Sequence, residues 1–522
     1  MDSRKVYVTR VALTVALGGF LMGFDASVIS GVVRFIEPEF GLSKLQLGWA
    51  VGSLTLTSTL GMLFAGPLSD RLGRRTTLKI AAVLFAISAI ASALAQTFWF
   101  LVIARMLGGF GVGFALIIPP MYIGEIAPPK IRGRLVSFNQ LNIVVGISAA
   151  FFTNYLILQW AQSDAAWAQA LMIDEHTWRW MLGLETLPAL IFFIGLYFVP
   201  KSPRWQIMIG NREDGENTLT QIVGPESAKK QVSDILENLE ADKEKEKVSI
   251  KEIFHPYLRY VLLIGVTLAV LQQITGINAV FFYAPVIFEQ SGIGTDASFM
   301  QAVLVGLTNL VFTVFAIMLI DKLGRKPLLI GGLTGITLMM MLLAYGFNAA
   351  TYELDEESIQ TIEAPVNLDL LSANMANITY DDDVQFRAAL TETLGSEAAV
   401  EFESQIITAA IDINPKLILF AILGFVASFA ISLGPVMWVM FSELFPLRVK
   451  GFAISFAGFI NSAISFLVQL VFPWELATLG NSMTFLLYGI FALIGLFFVW
   501  RVVPETKNKS LEELEEQLVA TS

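Results

Sequence analysis

Twelve stretches of this sequence run for about 20 residues or more with one charged side chain or none. They are 11–33, 45–69, 80–104, 106–124, 135–163, 180–200, 260–288, 297–320, 327–352, 417–442, 451–474 and 476–500. At about 1.5 Å of helix per residue, each is long enough to cross the hydrocarbon of a bilayer once. The first stretch runs on as a full span, so it reads as a span and not as a cleavable signal peptide. Charged residues make up 15% of the chain, against about 25% in soluble domains, which excludes an ordinary soluble protein. There is no Cys, and the two His are His176 and His255. Disulfides, thiol catalysis and Cys- or His-based metal sites are therefore not expected. The net charge of −11 argues against nucleic acid as a partner.

Basic residues in short loops set the orientation. Arg71, Arg74, Arg75 and Lys79 follow span 2, and Lys130, Arg132 and Arg134 follow span 4. Lys322, Arg325 and Lys326 follow span 8, and Arg448 and Lys450 follow span 10. All are even-numbered loops, so these and both termini are predicted to face the cytoplasm. Two soluble segments interrupt the pattern. Residues 201–258 read as a cytoplasmic linker, with Ser227–Glu246 an amphipathic helix. Residues 349–414 face outward and hold 14 acidic residues against one basic residue, Arg387. The rest of the chain holds 31 acidic and 33 basic residues, so the net acidity belongs to this segment. A folded cap, a partner-binding site and a disordered flap are all open readings of it. The expected domains are 1–200, a first six-span half; 201–258, the linker; and 259–522, a second half carrying 349–414 as an insertion. Asn377-Ile378-Thr379 is a formal glycosylation sequon in the insertion, a triplet that also arises by chance.

The two halves repeat each other. Asp70-Arg71-Leu72-Gly73-Arg74-Arg75 recurs as Asp321-Lys322-Leu323-Gly324-Arg325-Lys326, and Glu125-Ile126-Ala127-Pro128 as Glu443-Leu444-Phe445-Pro446. The offsets are 251 and 318 residues, and their difference of 67 is close to the 66 residues of 349–414. Asp70 and Asp321 can accept hydrogen bonds from helix N-termini or pair with arginines. Arg74 and Arg325, with Glu125 and Glu443 and the following Arg132 and Lys450, can build a cytoplasmic latch. The alternative is that these charges only obey the topology rule.

With these motifs assembled, the chain resembles the sugar porters of the major facilitator superfamily, over nearly its whole length except 349–414. Besides the doubled turn, the resemblance rests on Gly23-Phe24-Asp25 through Gly31, Arg105-Met106-Leu107-Gly108-Gly109 and Pro203-Arg204-Trp205. It rests further on Gln272-Gln273-Ile274-Thr275-Gly276-Ile277-Asn278, Gly434-Pro435-Val436-Met437-Trp438 and Pro504-Glu505-Thr506-Lys507. Lys201 stands where the family usually has Glu, Asn508 where it has Gly, and Ser462 where many members have Trp. The fold this implies is all-α, with twelve transmembrane helices in two six-helix halves.

Ionisable residues inside spans are costly and mark functional sites. Three stand well inside: Asp25, Arg105 and Glu185. Counting from the outer ends of spans 1, 4 and 6, they lie about 12, 9 and 10 Å deep, at one level of the first half. An Asp beside an Arg can serve as an alternating proton carrier or as a static pair. The resemblance favours the carrier, because proton-coupled sugar porters have Asp at the position of Asp25, with Glu185 similar to a carboxylate that tunes the pair. Facilitative members commonly have a neutral residue at that place.

A sugar presents uncharged hydroxyls and an apolar C–H face, which amides and an aromatic ring can recognise. Gln272, Gln273 and Asn278 in span 7, Asn309 in span 8, Trp438 in span 10 and Asn461 in span 11 supply these, with Gln140 in span 5. Buried amides also glue helices together. Gln273 and Asn278 are five apart and share a helix face only loosely, and Gln272 is a candidate for outer packing. The family places sugar contacts at these positions. Phe282 and Tyr283 look like an extracellular gate, or equally like packing aromatics. Gly109, Gly111 and Gly113 read as close helix packing and not as a nucleotide loop.

The expectation is a monosaccharide–proton symporter taking a hexose, pentose or related polyol. It would be an integral protein of the cell's inner or plasma membrane, work as a monomer among lipids, and need no cofactor beyond the proton gradient. A facilitative uniporter is the first alternative and a non-transporting sensor the second. An intramembrane hydrolase is disfavoured, since neither His lies within a span.

Overall fold

The structure, a computed structural model, describes residues 3–244, 255, 258–362, 364–446, 449–507, 509 and 513. Glu246, Arg448 and Asn508 lie outside the described residues. Long helices follow the apolar stretches, because a backbone in lipid must satisfy its own hydrogen bonds. Spans 1 to 5 are the helices Ser3–Glu39, Lys44–Leu72, Arg74–Ala93, Phe98–Ile126 and Pro129–Ala161. Eleven described helical segments are long and apolar enough to cross a membrane. The last, Lys450–Arg501, has 52 residues and turns at Gly480, where φ is 78°. At about 1.5 Å per residue it is far longer than one crossing, so it contains spans 11 and 12.

Three spans expected to be continuous are broken. Span 6 runs as Thr177–Gly183 and Thr186–Gly195, with Glu185 at the interruption. Span 7 runs as Arg259–Ile274 and Ile277–Glu289, divided by Gly276 at φ 90°. Only glycine takes that backbone without strain, and a Cβ there would also strike the ring of Tyr488. Span 10 runs as Pro415–Ile431 and Leu433–Leu444, divided at Ser432. Spans 8 and 9 are the unbroken helices Gly294–Leu323 and Arg325–Asn348.

The chain forms two compact units. One comprises Met1–Val28, Ser53–Ala150 and Arg179–Val248; the other comprises Ile29–Gly52, Phe151–Trp178 and Ser249–Ser522. This differs from a division at the linker. The ends of spans 1, 2 and 5 remote from the basic turns, called the outer ends below, belong with the second half. Within that second unit Trp49 meets Phe466 edge-on at 5.4 Å, and Gly48 lies against the Leu470 backbone. The first unit is packed around Val15, Phe85, Ile118 and Phe192, all fully buried. Gly109 and Gly113 bring span 4 against the backbone of span 2, as close packing requires.

In the linker, Ser202 caps the helix Pro203–Met208 by accepting the Trp205 N–H at 3.2 Å. The helices Arg212–Val223 and Pro225–Glu244 follow, with Ile207, Leu219, Ala228 and Val232 as a small core. The insertion is folded, not a disordered flap. It has a three-stranded antiparallel sheet of β1 (Thr351–Glu353), β2 (Thr379–Tyr380) and β3 (Ile411–Asp412), in the order β2-β1-β3. The helices Leu368–Met375, Asp383–Leu394 and Ser396–Ala410 cover it around Tyr352, Leu371, Phe386 and Ile406.

Candidate functional site

Asp25, Arg105 and Glu185 are 1%, 1% and 2% exposed. Arg105 Nη1 stands 3.8 Å from Asp25 Oδ1, an ion pair without a hydrogen bond's contact. Glu185 lies within electrostatic reach of both. Asp25 Oδ2 and Glu185 Oε1 are buried without a hydrogen-bond partner among the described residues. Gly108, one turn beyond Arg105, makes room for the carboxylate: a Cβ there would lie 2.9 Å from Asp25 Oδ2 and 2.5 Å from Ser88 Oγ. Three ionisable groups are thus buried together in the first unit, where unpaired charge is expensive.

The amides form a connected network in the second unit. Gln273 Nε2 donates to Asn461 Oδ1 at 3.1 Å and to Gln272 Oε1 at 3.2 Å. Asn278 Nδ2 donates to Gln273 Oε1 at 2.8 Å and to Ser465 Oγ at 2.6 Å. Asn461 Nδ2 donates to Gln272 Oε1 at 2.8 Å and to the Ala269 carbonyl at 2.9 Å. The break at Gly276 is what brings Gln273 and Asn278 together; an unbroken helix would not. Gln272 is not an outer packing residue. Its Nε2 donates to the carbonyls of Leu433 and Gly434 at 3.0 and 3.2 Å, at the start of the second helix of span 10.

Asn309 is buried on span 8 and lies outside this network. Trp438 is 42% exposed and edge-on to Phe441 at 5.7 Å, leaving a large apolar surface open. Gln140, in the first unit, is exposed on span 5. Phe282 and Tyr283 are buried, and the Tyr283 hydroxyl donates to the Gln469 carbonyl at 3.0 Å. Ser465 and Gln469 were missed by sequence reasoning. With Asn461 they recur every four residues, a polar stripe on one helix face that periodicity could have found. Ser462 is half-buried.

The basic turns are built alike. Arg74 pairs with Asp70 at 2.8 Å and clamps Glu125 through Nε and Nη2 at 3.1 and 2.9 Å. Arg325 pairs with Asp321 at 3.2 Å and clamps Glu443 through Nε and Nη2 at 3.2 and 2.8 Å. Ser202 donates to Glu125, and its repeat mate Thr506 donates to Glu443. Each cluster ties helices of one half together. Arg132 instead donates to the Ala127 carbonyl at 3.4 Å, and Lys450 opens the last helix; neither joins a cluster. Arg132 and Lys450 thus stand outside the two clusters, because they sit past the turn that carries the glutamate.

The two clusters differ at the residue just before Ser202 and Thr506. Glu505 accepts the backbone N–H groups of Arg325 and Lys326 at 3.0 and 3.1 Å, capping the helix of span 9. Its counterpart in the first half is Lys201, which lies over Trp205 at 6.0 Å, and the helix of span 3 starts with no side-chain cap. Lys201→Glu is expected to supply the missing cap, worth about 1 kcal/mol. The detergent-purified variant should melt at a higher temperature than the parent; an unchanged or lower melting point would show that the two turns are not equivalent.

The sequence profile described as "Sugar (and other) transporter" matches residues 11–362 and 401–518. The arabinose-proton symporter of Bacillus subtilis (strain 168) is 34% identical over 510 residues, 98% of this chain and 94% of that protein. The D-xylose-proton symporter of Escherichia coli (strain K12) is 35% identical over 542 aligned positions, 98% of this chain and 95% of that one. The inward open structure of the xylose transporter from E. coli superposes with TM-score 0.73 at 34% identity, covering 98% of this chain and all of that one. The chain belongs to the sugar transporter family of the major facilitator superfamily. It is an integral membrane transporter with that fold, and not an enzyme.

Proposed function

We propose that the protein imports a monosaccharide together with a proton by alternating access, with Asp25 as the proton carrier. The observation that carries this reading is the buried set of Asp25, Glu185 and Arg105. Two carboxylates face one guanidinium, so the set is neutral with one proton bound and carries one net negative charge without it. A buried uncompensated charge is costly, so taking up and giving back that proton alters the energy of the enclosed state. Arg105 holds the remaining carboxylate charge, and Glu185 sets how strongly the pair holds the proton. Gly108 keeps the space in which the Asp25 carboxyl turns between its two states.

The substrate reading rests on the amide network. Gln272, Gln273, Asn278 and Asn461 offer donors and acceptors and no charge, beside the exposed face of Trp438. That set suits a pentose, hexose or related polyol, in keeping with relatives named for arabinose and xylose. Gln140 and Asn309 are assigned as further sugar contacts, and Phe282 and Tyr283 as the outer gate. The protein works as a monomer in the cell's inner or plasma membrane, with both termini cytoplasmic and no cofactor. Nothing observed favours uniport. In proteoliposomes enclosing a pH-sensitive dye, adding the transported pentose or hexose outside should acidify the lumen. Sugar entry without acidification would defeat the symport reading.

A further inference from the structure

The acidic insertion holds none of the residues assigned above to the proton site or the amide network, and the family profile passes over its residues 363–400. It is nevertheless bolted to the protein at one end. Its single basic residue, Arg387, donates to Glu403 at 2.7 Å, to Asp383 at 2.9 Å and to the Leu476 carbonyl of span 11 at 3.2 Å. Asp383 in turn accepts the backbone N–H and the Nδ2 of Asn481, at 3.3 and 2.8 Å. Asn481 follows Gly480, the turn between spans 11 and 12. A Cβ on Gly480 would come within 2.7 Å of Asp383 Oδ1, so the glycine lets the cap seat on the turn. Ile411 of β3 closes on Gly292, at the turn between spans 7 and 8. Charge-assisted bonds at buried groups make this a firm anchor.

The other side of the cap faces a different element. The helix Ser396–Ala410 lines a cavity of about 80 Å³ that it shares with the outer ends of spans 1 and 2 and of span 7. Glu403 and Ser404 stand on the cap side, and Arg34, Glu37, Lys44 and Glu289 stand opposite. Arg34 pairs with Glu289 and Thr295, and Lys44 pairs with Glu37. Burial opposes ionisation of Glu403, yet the positive charges of Arg387 and Lys44 outweigh it and hold the carboxyl below its usual range. Glu403 is thus bonded to the anchor and faces Lys44 across the cavity. Residues 29–52 belong to the same compact unit as the cap.

We propose that residues 349–414 are a brace that holds the outer ends of spans 1 and 2 closed, with the attraction between Lys44 and Glu403 across the cavity as the link that forms and breaks. The anchor at Asp383, Arg387 and Asn481 stays fixed while residues 34–44 dock and leave. Its acidity is what attracts Arg34 and Lys44 to that face. The brace rests on the alternating-access reading, since only a protein that opens outward has an outer side to hold shut.

The chain has no native cysteine, so a spin-label pair can be placed cleanly. Leu45→Cys, exposed beside Lys44, and Glu397→Cys, exposed on the cap helix, provide it. Double electron–electron resonance on the labelled full-length protein should give a predominantly short distance. Lys44→Glu, which sets a third carboxylate against Glu37 and Glu403, should raise the long-distance fraction at least severalfold. Lys44→Met, which leaves no repulsion and so spares the fold, should raise it by less. Unchanged distances in both variants would overturn the brace, whatever the uptake assays show. Failure of lumen acidification would overturn symport and leave these distances as they are.

Discussion

Asp25→Asn abolishes accumulation of sugar against a gradient while exchange of sugar across the membrane continues. Asparagine keeps the size of the side chain and removes its titration. Arg105 then retains Glu185 as its partner, so the buried guanidinium is not orphaned and the fold should survive. The central step that remains is the movement of a loaded site, which exchange measures and which needs no net proton transfer. Uphill uptake in proteoliposomes should fall to the level of protein-free vesicles. Exchange should stay within a few-fold of the parent and lose its dependence on pH. Retained accumulation by the variant would remove Asp25 from the coupling role.

The second large effect falls on Gln273. Its side chain bonds Gln272, Asn278 and Asn461, so it is the hub of the amide network. Gln273→Ala removes the hub and leaves buried partners short of hydrogen bonds, at about 1–3 kcal/mol for each unsatisfied group. If the same groups read the sugar hydroxyls, KM for exchange should rise by about 5- to 150-fold, the equivalent of that energy. A purely structural amide cluster behaves differently. There the melting temperature drops while KM stays near that of the parent, and that outcome would take the network out of the binding site.

The parts of the site that the sequence made legible are those that lipid makes rare. Charges inside spans stand out against an apolar background, so Asp25, Arg105 and Glu185 could be singled out one by one. Their depth along straight helices placed them at one level, and the structure gathers them in one pocket. The basic turns were legible because they occur twice. The network was legible only as a set of residues. Glycine is common in membrane helices, so Gly276 gave no warning of a break, and without the break Gln273 and Asn278 point apart. The same blindness applied to span 10, where Gly434-Pro435 was read as a motif and not as the start of a second helix after Ser432. Outer packing stayed open for Gln272 for that reason, since its partners, the Leu433 and Gly434 carbonyls, lie at the start of that second helix. In the insertion the charge was plain and the fold was not. Its strands are two or three residues long, too short for any periodicity to show, and its core forms only from residues far apart in sequence.

The central claim is that sugar movement is tied to proton movement, and the accumulation ratio reports it directly. Proteoliposomes with an imposed pH difference, acid outside and with the electrical potential clamped, are allowed to reach steady state with the transported sugar. With one proton per sugar, each pH unit should sustain about a tenfold higher concentration inside, because a pH unit carries the free energy of a tenfold gradient. A ratio that stays at one across all imposed pH differences would contradict the account.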